Sequence, residues 1–373
     1  MNRNDIEKYQ CIGCGIEIQT ENPQEVGYLP NSALQKGIEK GDFYCQRCFK
    51  LRHYNELQDL EMSEDVFLEK VSQIASDDAY VIHMIDIFDV EGTLLSGLPR
   101  LIGQQDFAVV ANKVDLLPKS TKLSRVKDWL HMMVKDVGLF SEDILLVAAN
   151  KAHTLDNLIQ FIEDKVRYQN VYIVGVTNVG KSTLINQLIK HFGGKKEIVT
   201  TSNHPGTTLD LIHIPLTEDT SLIDTPGIIY RSQMAHVIDR SDYQRVMPNK
   251  PIKPKVYQLN SGQTLFLGGL ARIDYINGPK MSVTLFVSQD LYIHRTKQEG
   301  AKAFYDKHLG GLLSPPSKEK MAQFPPLKKH VIQLDSAQDL TISGLGWLTV
   351  NEKIELEVWI PEGIQLTRRQ SII

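Results

Sequence analysis

Residues 171–182 read Val171-Tyr-Ile-Val-Gly-Val-Thr-Asn-Val-Gly-Lys-Ser182, an apolar run followed by a glycine-rich turn. The apolar run predicts a buried strand, and the apolar periodicity of residues 182–190 predicts a helix after the turn. A strand, a turn of this glycine spacing and a helix together indicate a phosphate-binding loop, because the amides of the turn and the helix N-terminus attract phosphate oxygens. A chance glycine-rich turn is the alternative, and the Lys and Ser that end the turn argue against it.

The residues of this turn have expected roles toward a nucleotide. Gly175 and Gly180 let the backbone curl so that its amides point at phosphate oxygens. We expect Lys181 to neutralise charge on the β and γ phosphates and Ser182 to offer its hydroxyl to Mg²⁺. The nucleotide contacts predicted for the turn and the start of the helix are Gly175, Asn178, Val179, Gly180, Lys181, Ser182 and Thr183.

A second motif, Asn112-Lys113-Val114-Asp115, follows an apolar run at residues 107–111. The run predicts a strand, so the motif lies at the C-terminal end of that strand, where open α/β sheets bind ligands. The Asp115 carboxylate can accept hydrogen bonds from both N1–H and N2–H of guanine, and adenine lacks this pair of donors. Because the wrong base would leave buried polar groups unpaired, the motif predicts GTP over ATP, with Asn112 and Lys113 as further nucleotide contacts. Taken alone, the motif could also be a solvated surface loop.

Two further motifs come after the phosphate loop in the chain. Asp224-Thr-Pro-Gly227 follows a short apolar run, so we expect Asp224 in the shell of Mg²⁺ through water and the Gly227 amide at the γ-phosphate. Pro205-Gly-Thr-Thr208 supplies a threonine for the same Mg²⁺. We expect Thr208 rather than Thr207 in this role, because a strand-like alternation begins directly after Thr208. A threonine pair that only forms a turn is the alternative.

A fifth segment, Leu145-Leu-Val-Ala-Ala-Asn-Lys151, reads as a strand that ends in small residues. Ala149 is expected to give its amide to O6 of guanine. Ala148 and Asn150 replace the Ser and Lys that are usual at this place, and a plain buried strand end explains the residues almost as well.

All four cysteines occur in two pairs, Cys11-Ile-Gly-Cys14 and Cys45-Gln-Arg-Cys48. Two Cys-x-x-Cys pairs with a long insert predict a closed tetrahedral Zn²⁺ site of four thiolates, which is structural because no position remains for water. Two disulfides are the first alternative, which the reducing compartment of a nucleotide switch disfavours. An iron-sulfur cluster is the second.

The guanine motif precedes the phosphate loop in this chain, whereas the phosphate loop comes first in a standard GTPase. The chain order is Asn-Lys-x-Asp, Ala-Ala-Asn, Gly-x-x-Asn-x-Gly-Lys-Ser, Pro-Gly-Thr-Thr and Asp-Thr-Pro-Gly. Together with the cysteine pairs, this order resembles the circularly permuted GTPases of the bacterial YqeH type. The resemblance covers nearly the whole chain, with its most specific motifs between Cys11 and Gly227. It implies a GTP-hydrolysing switch in assembly of the small (30S) ribosomal subunit, with that subunit and its ribosomal RNA as partners beside GTP and GDP.

The residue after Asp-x-x-Gly bears on hydrolysis. Many GTPases place a glutamine there to orient the attacking water, and this chain has Ile228, so we expect slow hydrolysis by the protein alone. Asn178 stands where potassium-activated GTPases have an asparagine that binds K⁺ beside the β and γ phosphates. We therefore expect Asn178, Lys181 and Thr208 to be catalytic, with K⁺ beside Mg²⁺ and structural Zn²⁺ as cofactors. A purely structural role for Asn178, with a partner supplying the positive charge, is the alternative.

Length and composition predict two or three soluble domains. The chain has 373 residues, of which 42% are hydrophobic, and a formal charge of −4. This charge argues against a uniformly basic nucleic-acid binder, although residues 250–373 carry 16 Lys and Arg against 11 Asp and Glu, a net of +5 that leaves −9 for the rest. We identify neither a leader segment nor an apolar run of bilayer length, so we expect a cytoplasmic protein with neither a membrane nor a DNA partner.

The expected fold class is α/β, with three domains. Residues 1–58 form a zinc-binding module, residues 59–240 a circularly permuted P-loop GTPase domain with a mostly parallel doubly wound sheet, and residues 241–373 a β-rich domain for RNA or ribosome binding. Specific predictions are a strand at residues 79–85, a helix at 124–134, and C-terminal strands at 264–267, 281–287 and 355–360. We identify no internal repeat, and the pair Pro315-Pro316 predicts an exposed loop.

Two classes of function fit these features. In the first, the zinc module and the β-rich domain bind ribosomal RNA, and the cluster Phe49, Lys50, Arg52, His53 and Tyr54 offers stacking rings and basic groups for it. Packing of this zinc-module flank on its neighbour is the alternative for the cluster. In the second class the protein is a regulatory GTPase that acts on a protein partner without ribosome binding.

Overall fold

The computed structural model describes residues 9–11, 17–23, 25, 27–40, 43–46, 48–49, 61–62, 64–192, 212–225, 227–228 and 230–372. The chain divides into two compact units. The first comprises residues 1–86, 93–114 and 130–229, and the second comprises 87–92, 115–129 and 230–373. The second unit therefore includes two segments, 87–92 and 115–129, that the sequence assigned to the nucleotide domain.

Helices and strands alternate through the first unit, and strands dominate the second. Within the described ranges the α-helices are α1 (Asn31–Lys40), α2 (Glu64–Ser72), α3 (Val90–Thr93), α4 (Leu98–Ile102), α5 (Leu123–Asp136), α6 (Asp156–Val166), α7 (Lys181–Phe192), α8 (Arg240–Val246) and α9 (Ala301–His308). Short 3-10 helices span Gln73–Ser76, Val114–Leu116, Ala152–Thr154, Met234–His236 and Lys318–Lys320.

The strands that the structure describes are β1 (Glu61–Met62), β2 (Ala79–Asp86), β3 (Phe107–Asn112), β4 (Ile144–Leu146), β5 (Asn170–Val174), β6 (Ile212–Pro215), β7 (Ser221–Asp224), β8 (Gly227–Ile228), β9 (Lys255–Leu259), β10 (Gln263–Leu267), β11 (Ala271–Asn277), β12 (Met281–Val287), β13 (Ile293–Lys297), β14 (Leu327–Leu334), β15 (Gln338–Ile342), β16 (Gly346–Val350), β17 (Ile354–Pro361) and β18 (Leu366–Gln370). The predicted strands at 79–85, 264–267, 281–287 and 355–360 and the predicted helix at 124–134 are confirmed within one or two residues.

The first unit is built around a six-stranded sheet in the order β4-β3-β2-β5-β7-β6. Pairing is parallel from β4 through β7, and β6 joins antiparallel to β7. All residues of β2 and β3 are buried, which explains their continuous apolar sequences, because a parallel sheet is covered on both faces. The predicted mostly parallel sheet is confirmed.

The register of this sheet brings the ends of four strands to one edge. Asp86 at the end of β2 pairs with Asn112 at the end of β3, and Ile173 near the end of β5 pairs with Asp224 at the end of β7. Strand β5 lies between β2 and β7, although β2 and β3 precede it in the chain. The motifs that follow these strands are therefore collected at the carboxyl edge of one sheet.

A small cysteine-containing core lies near the N-terminus. Its buried members are Cys11, Ile18, Leu29, Leu34, Cys45 and Cys48. After this core, β1 pairs in parallel with β8, in the register Glu61 with Gly227 and Met62 with Ile228. The segment that leads from the cysteine-containing core into the sheet thus pairs with the residues directly after Asp224-Thr-Pro.

The second unit contains two five-stranded antiparallel sheets. Their orders are β13-β10-β11-β17-β14 and β18-β15-β16-β12-β9. Strands β9–β13 give three members to the first sheet and two to the second, and strands β14–β18 do the reverse. Each half of the unit therefore completes a sheet that the other half begins, and the apolar faces of both sheets form one core.

This symmetry reveals an internal repeat, so the prediction that the chain has none is wrong. The stretch Gln258-Leu-Asn-Ser-Gly-Gln263 recurs 75 positions later as Gln333-Leu-Asp-Ser-Ala-Gln338. Both copies form the same turn, in which the last Gln accepts a bond of 3.0 Å from the amide of the third residue. Few other side chains match between the copies, which hides the repeat in the sequence.

The two copies share a buried Thr–Asp pair with the residues exchanged. The Thr264 hydroxyl donates to the Asp274 carboxylate at 2.6 Å, and the Thr349 hydroxyl donates to Asp339 at 2.6 Å. Position 264 corresponds to 339, and 274 to 349, so donor and acceptor have changed strands. After the exchange, the buried carboxylate in each copy still accepts a hydrogen bond from a threonine hydroxyl.

Segments 87–92 and 115–129 are joined to the rest of the second unit by polar contacts. Arg369 of β18 donates from Nη1 to both oxygens of Glu91 at 3.0 Å. The Trp129 indole N–H donates to the carbonyl of Gln370 at 3.1 Å, and the Ile252 amide donates to the carbonyl of Leu116 at 2.8 Å.

Two smaller findings complete the description. Pro315 and Pro316 are buried, so the predicted exposed loop at this pair is wrong; the Gly269 amide donates to the carbonyl of Pro315 at 2.7 Å, which ties the pair to the sheet. Among the described helices, none is both long enough and apolar enough to cross a membrane.

Candidate functional site

The glycine-rich turn between β5 and α7 has the backbone shape that a phosphate-binding loop needs. Asn178 has a φ of 67° and Gly180 a φ of 92°, both in the left-handed region. A Cβ on Gly180 would lie 2.3 Å from Nδ2 of Asn112, and a Cβ on Gly175 would lie 2.7 Å from the carbonyl oxygen of Met84. Glycine is therefore required at both predicted positions by close contacts, and at Gly180 by φ as well.

The Asn112 side chain, at the end of β3, forms hydrogen bonds to this turn and to the segment that contains Ala149. Its Nδ2 donates to the carbonyl of Val179 at 2.7 Å, and its Oδ1 accepts from the amide of Ala149 at 2.8 Å. The side chain is buried. Asn112 thus holds the phosphate loop, the end of β3 and the Ala149 segment at fixed spacing, a role that the sequence did not predict.

The partner of the Ala149 amide differs from the one expected. The sequence assigned this amide to O6 of guanine, and in the structure it donates to Asn112. Thr154 supports the same segment, because its hydroxyl donates to the carbonyl of Ala148 at 2.9 Å and accepts from the Ala148 amide at 3.0 Å. The contact of Ala149 with guanine stays a prediction.

Lys113 strengthens the connection between the guanine motif and the phosphate loop. Its Nζ donates to Oδ2 of Asp86 at 2.5 Å and to the carbonyl of Asn178 at 2.6 Å. Asp86 ends β2 and is buried, and no motif marked it in the sequence. A carboxylate at the end of a mostly apolar strand was the available signal, because buried charges need a partner.

Lys181 and Asp224, predicted to serve phosphate and Mg²⁺, form a buried ion pair. Nζ of Lys181 lies 2.8 Å from Oδ1 of Asp224, and their side chains are 4% and 1% exposed. Lys181 also donates to the carbonyl of Thr225. Each charge compensates the other at the carboxyl edge of the sheet, so the cation and the carboxylate that a metal-bound triphosphate needs stand next to each other.

The remaining predicted residues lie in the same region or outside the described chain. Ser182 is buried in the first turn of α7, and Thr183 is exposed beside it. A Cβ on Gly227 would lie 3.1 Å from both N and Oγ1 of Thr177, so this glycine packs on the phosphate loop. Asp115 lies in the 3-10 helix Val114–Leu116. Thr208 and its neighbour Thr207 lie outside the described residues.

His83 is a fully buried polar residue of β2 that the sequence did not flag. Its Nε2 accepts from the Leu95 amide at 2.9 Å, so Nδ1 carries the proton and faces the carbonyl of Val174 at 3.5 Å. Burial lowers the pKa of His83 from 6.5 to about 4, against a smaller opposing effect of the Val174 carbonyl. The neutral imidazole therefore links β2 to the residue that precedes the phosphate loop.

Acid should lower the free energy of unfolding, because His83 is buried in its neutral form. The unfolded chain binds a proton at His83 below pH 6.5 and the folded chain does so below about pH 4, so this contribution to stability is complete above pH 6.5 and is lost as the pH falls to 4. The loss is about 3 kcal/mol. Urea unfolding at pH 7, 6, 5 and 4 should show a shallower pH dependence for His83→Gln than for the exposed control His153→Gln. Parallel pH profiles would contradict the assignment.

Three of the four cysteines form a candidate metal site. The sulfurs of Cys11, Cys45 and Cys48 all lie within 4.8 Å of one another and are buried. The amide of Cys45 donates to Sγ of Cys11 at 3.1 Å, a bond that stabilises a thiolate. Cys14 lies outside the described residues. Three converging sulfurs with amide support fit a thiolate zinc site, in which the protein would supply a fourth sulfur.

Metal analysis tests this site. Purified protein should contain about one Zn²⁺ per chain, and Cys45→Ser should lose the zinc and unfold the N-terminal segment, because such a site supplies most of the folding free energy of a small module. Nucleotide binding should remain. Gln35→Ser, exposed on α1 of the same module, is the matched control. Iron in place of zinc, or no metal, would refute the assignment.

The fold and the loops together define a P-loop nucleotide-binding protein with a guanine-type motif. A family model described as a 50S ribosome-binding GTPase matches residues 170–250, and a model of the YqeH-like C-terminal domain matches residues 280–372. "Uncharacterized protein YqeH" of Bacillus subtilis (strain 168) is 44% identical over 370 residues, which cover 99% of this chain and 100% of that protein. The chain therefore belongs to the YqeH family, and it carries a GTP-binding GTPase domain.

More distant relatives come from eukaryotes. The chloroplastic/mitochondrial NO-associated protein 1 of Arabidopsis thaliana is 29% identical, with 91% of this chain and 69% of that protein covered. Nitric oxide-associated protein 1 of Homo sapiens is 26% identical, with 97% of this chain and 74% of that protein covered. The similarity therefore extends over the cysteine-containing segment and both units, rather than over the GTPase motifs alone.

Proposed function

We propose that this protein is a GTP-hydrolysing switch that acts in assembly of the small (30S) ribosomal subunit. The observation that carries the nucleotide part is the Asn112 side chain, which bonds both the phosphate loop and the Ala149 segment. One side chain thus sets the spacing between phosphate binding and base reading. Support for the ribosomal part comes from the YqeH resemblance and from the matching model whose description names a ribosome-binding GTPase.

The GTPase domain is circularly permuted in this proposal. Strand β3, which ends in Asn112, precedes β5 in the chain, and β5 leads into the phosphate loop. Both strands nevertheless belong to one parallel sheet, separated by β2 alone. If the two ends of a standard GTPase chain were joined and the chain were cut at another place, the order of the strands along the chain would change. The neighbours of each strand in the sheet would stay the same.

The residues of the site have defined roles toward GTP. Asp115 accepts two bonds from guanine, and amides of the phosphate loop surround the phosphates. Lys181 changes partner from Asp224 to the β and γ phosphates, which frees the Asp224 carboxylate for the water shell of Mg²⁺. Ser182 and Thr208 would hold Mg²⁺ through their hydroxyl groups, and the metal would supply charge neutralisation for the leaving group.

Hydrolysis transfers the γ-phosphoryl group to water and leaves GDP. Ile228 follows Gly227, and an aliphatic side chain has no group that orients water, so turnover by the protein alone is slow. A cation held by Asn178 between the β and γ phosphates would add positive charge where it develops in the transition state. The φ of 67° at Asn178 has a second explanation, because asparagine tolerates the left-handed region better than most residues.

Turnover in K⁺ and Na⁺ separates these two explanations. We expect K⁺ to raise kcat about tenfold over Na⁺, because a larger cation suits several oxygen ligands from loop and phosphates. Asn178→Gly should lose this difference while still binding GTP, because glycine keeps the φ of 67°. Asn178→Asp, which keeps a side-chain oxygen, is the matched control. Equal rates in the two salts, with and without ribosomal subunits, would leave Asn178 a structural residue.

Two surfaces are offered to RNA in this proposal. In the predicted cluster of the zinc module, Phe49 is 43% exposed; Lys50, Arg52, His53 and Tyr54 lie outside the described residues. The second surface belongs to the β-rich unit, where half-buried rings stack.

The stack of rings follows one edge strand and one helix. His294 of β13 and Phe304 of α9 are parallel within 5°, with centroids 4.5 Å apart. The ring of His308 lies 4.4 Å from that of Phe304 and is tilted by 39°. Tyr292 is 43% exposed at the other end. Arg295 on the same strand is exposed. Exposed rings next to a cation suit unpaired RNA bases.

We keep the domain limits 1–58, 59–240 and 241–373 and a cytoplasmic location as parts of the proposal. The three-sulfur cluster supports a metal-stabilised N-terminal module, and the two-sheet core supports a C-terminal β domain. A cluster of cysteine sulfurs that binds a metal as thiolates fits a reducing compartment.

Co-sedimentation with purified 30S and 50S subunits tests the proposal. We expect retention on 30S in the presence of a non-hydrolysable GTP analogue, weaker retention with GDP, and salt dependence typical of phosphate contacts. Lys181→Ala, which should fail to bind nucleotide, is the control for the nucleotide effect. Retention on 50S alone would contradict the assignment to the small subunit. The match to a family of 50S ribosome-binding GTPases makes the large subunit the first alternative.

Absence of retention on either subunit would favour the second function, a regulatory GTPase that acts on a protein partner. One observation supports a protein partner. Strand β14 lies at the edge of its sheet and carries the exposed Val331, and an extended peptide can add to such an edge.

A further inference from the structure

The phosphate loop contains a buried hydroxyl that the roles assigned above do not use. Thr177 is the third residue of the loop, after Gly175 and Val176, and it is 8% exposed. Its Oγ1 is fully buried and has no hydrogen-bond partner among the described residues. Leaving such a group unpaired costs about 1–3 kcal/mol, so native structures seldom do it without a reason.

A nearby threonine shows that the surroundings can satisfy a hydroxyl. Thr225, in the loop after β7, is fully buried and donates from Oγ1 to the carbonyl of Ile173 at 2.9 Å. Thr177 differs because its Oγ1 has no such partner and lies on the side of the loop where Gly227 packs.

Gly227 defines what the Thr177 hydroxyl faces. A Cβ built on Gly227 would lie 3.1 Å from N, 3.1 Å from Oγ1 and 3.2 Å from Cα of Thr177. Gly227 ends the Asp224-Thr-Pro-Gly motif, whose last amide is expected at the γ-phosphate. The Thr177 hydroxyl therefore lies on the side of the phosphate loop that packs against Gly227, the residue expected at the terminal phosphate.

We propose that the Thr177 hydroxyl binds a γ-phosphate oxygen of GTP and makes the site prefer GTP to GDP. The O–H donates to an anionic oxygen, which is a stronger acceptor than a neutral one. GDP lacks the γ-phosphate, so with GDP the hydroxyl stays unpaired and its burial cost remains. The inference rests on the proposed function in one respect, namely that GTP and GDP are the ligands of this loop.

Substitutions at position 177 can separate the effect of the hydroxyl from the effect of the side-chain shape. Thr177→Val has the same outline and removes the hydroxyl, and Thr177→Ser keeps the hydroxyl. For each protein, the Kd of GDP and of a non-hydrolysable GTP analogue is measured in Mg²⁺ by displacement of a fluorescent guanine nucleotide. We expect Thr177→Val to bind the GTP analogue about 10- to 100-fold more weakly than wild type and GDP within about twofold of wild type, because one charge-assisted hydrogen bond is lost. Thr177→Ser should stay close to wild type for both ligands.

The outcomes distinguish this inference from the proposed function. An unchanged ratio of the two dissociation constants in Thr177→Val would overturn the inference and leave the GTPase assignment intact. An equal loss of both ligands would also overturn it, because it would show that Thr177 shapes the loop instead of reading the γ-phosphate. Failure of the wild-type protein to bind either guanine nucleotide would overturn the proposed function and, with it, the role of Thr177.

Discussion

Arg369→Ala should lower the free energy of unfolding of the C-terminal unit by about 3–5 kcal/mol, because it leaves two buried carboxylates without their cation. Arg369 is 5% exposed as a residue. Its Nη1 donates to both oxygens of Glu91 at 3.0 Å, and its Nε donates to Oδ2 of Asp339 at 3.2 Å. Burial already raises the pKa of Asp339, against the opposing effect of Arg369.

The guanidinium also stacks between two indoles. Its Cζ lies 4.8 Å from the ring centroid of Trp129 and 5.2 Å from that of Trp347. An ammonium group keeps the charge but offers neither the planar stack nor the fork that binds both oxygens of a carboxylate, so Arg369→Lys should recover only part of the loss.

Urea and thermal unfolding measure these effects. The matched control is Arg368→Ala, because Arg368 is its neighbour on β18, is exposed, and donates to the carbonyl of Gln333 at 3.2 Å. We expect a change within about 0.5 kcal/mol for this exposed position. Equal stability of the two alanine variants would show that the Arg369 cluster contributes nothing beyond its surface neighbour.

Asp115→Asn should weaken GTP binding by at least about 100-fold and convert the preference toward xanthosine triphosphate. The carboxylate accepts from N1–H and N2–H of guanine, whereas an amide at this position presents a donor to the N2–H group and leaves a mismatch in a desolvated site. Xanthine carries a carbonyl where guanine carries the amino group, so it accepts from the new amide.

Competition of GTP, xanthosine triphosphate and ATP against one fluorescent nucleotide tests this exchange. Asp136→Asn, exposed at the end of α5, controls for the change of charge. An unchanged affinity for GTP in Asp115→Asn would remove Asp115 from base recognition. Low affinity for all three nucleotides, with an intact fold, would mean that Asp115 supports the loop rather than reads the base.

The loops that the sequence located share one property: their chemistry depends on neighbours in the chain. A glycine at position 180, a lysine next to it and a strand before both are enough to predict the phosphate loop, because shape and charge are set within about ten residues. The structure shows Lys181 and Asp224 as a buried ion pair, and their roles toward phosphate and Mg²⁺ stay predictions. The same locality explains why Asn112 was assigned to the base and its bond to Val179 was missed.

The features that the sequence did not predict depend on distant parts of the chain. Arg369 and Glu91 are 278 positions apart, and neither lies in a motif or in a periodic pattern that could pair them. The repeat in the second unit was hidden for another reason. Its copies share the turn and the burial pattern of β10 and β15. Thr264 and Asp274, however, correspond to Asp339 and Thr349, so the matching pair is exchanged between strands.

The exchange of strands between the two halves has a consequence during synthesis. The ribosome makes β9–β13 first, yet β11 and β12 each lack one neighbour until β17 and β16 follow. At about 5–20 residues per second, the interval between Lys297 and Gln370 lasts roughly 4–15 s. Nascent chains held in that interval should expose the apolar edge of β12, Met281-Ser-Val-Thr-Leu-Phe-Val287. Messages truncated before β16 are therefore expected to yield products that expose this edge, aggregate and are removed by proteases.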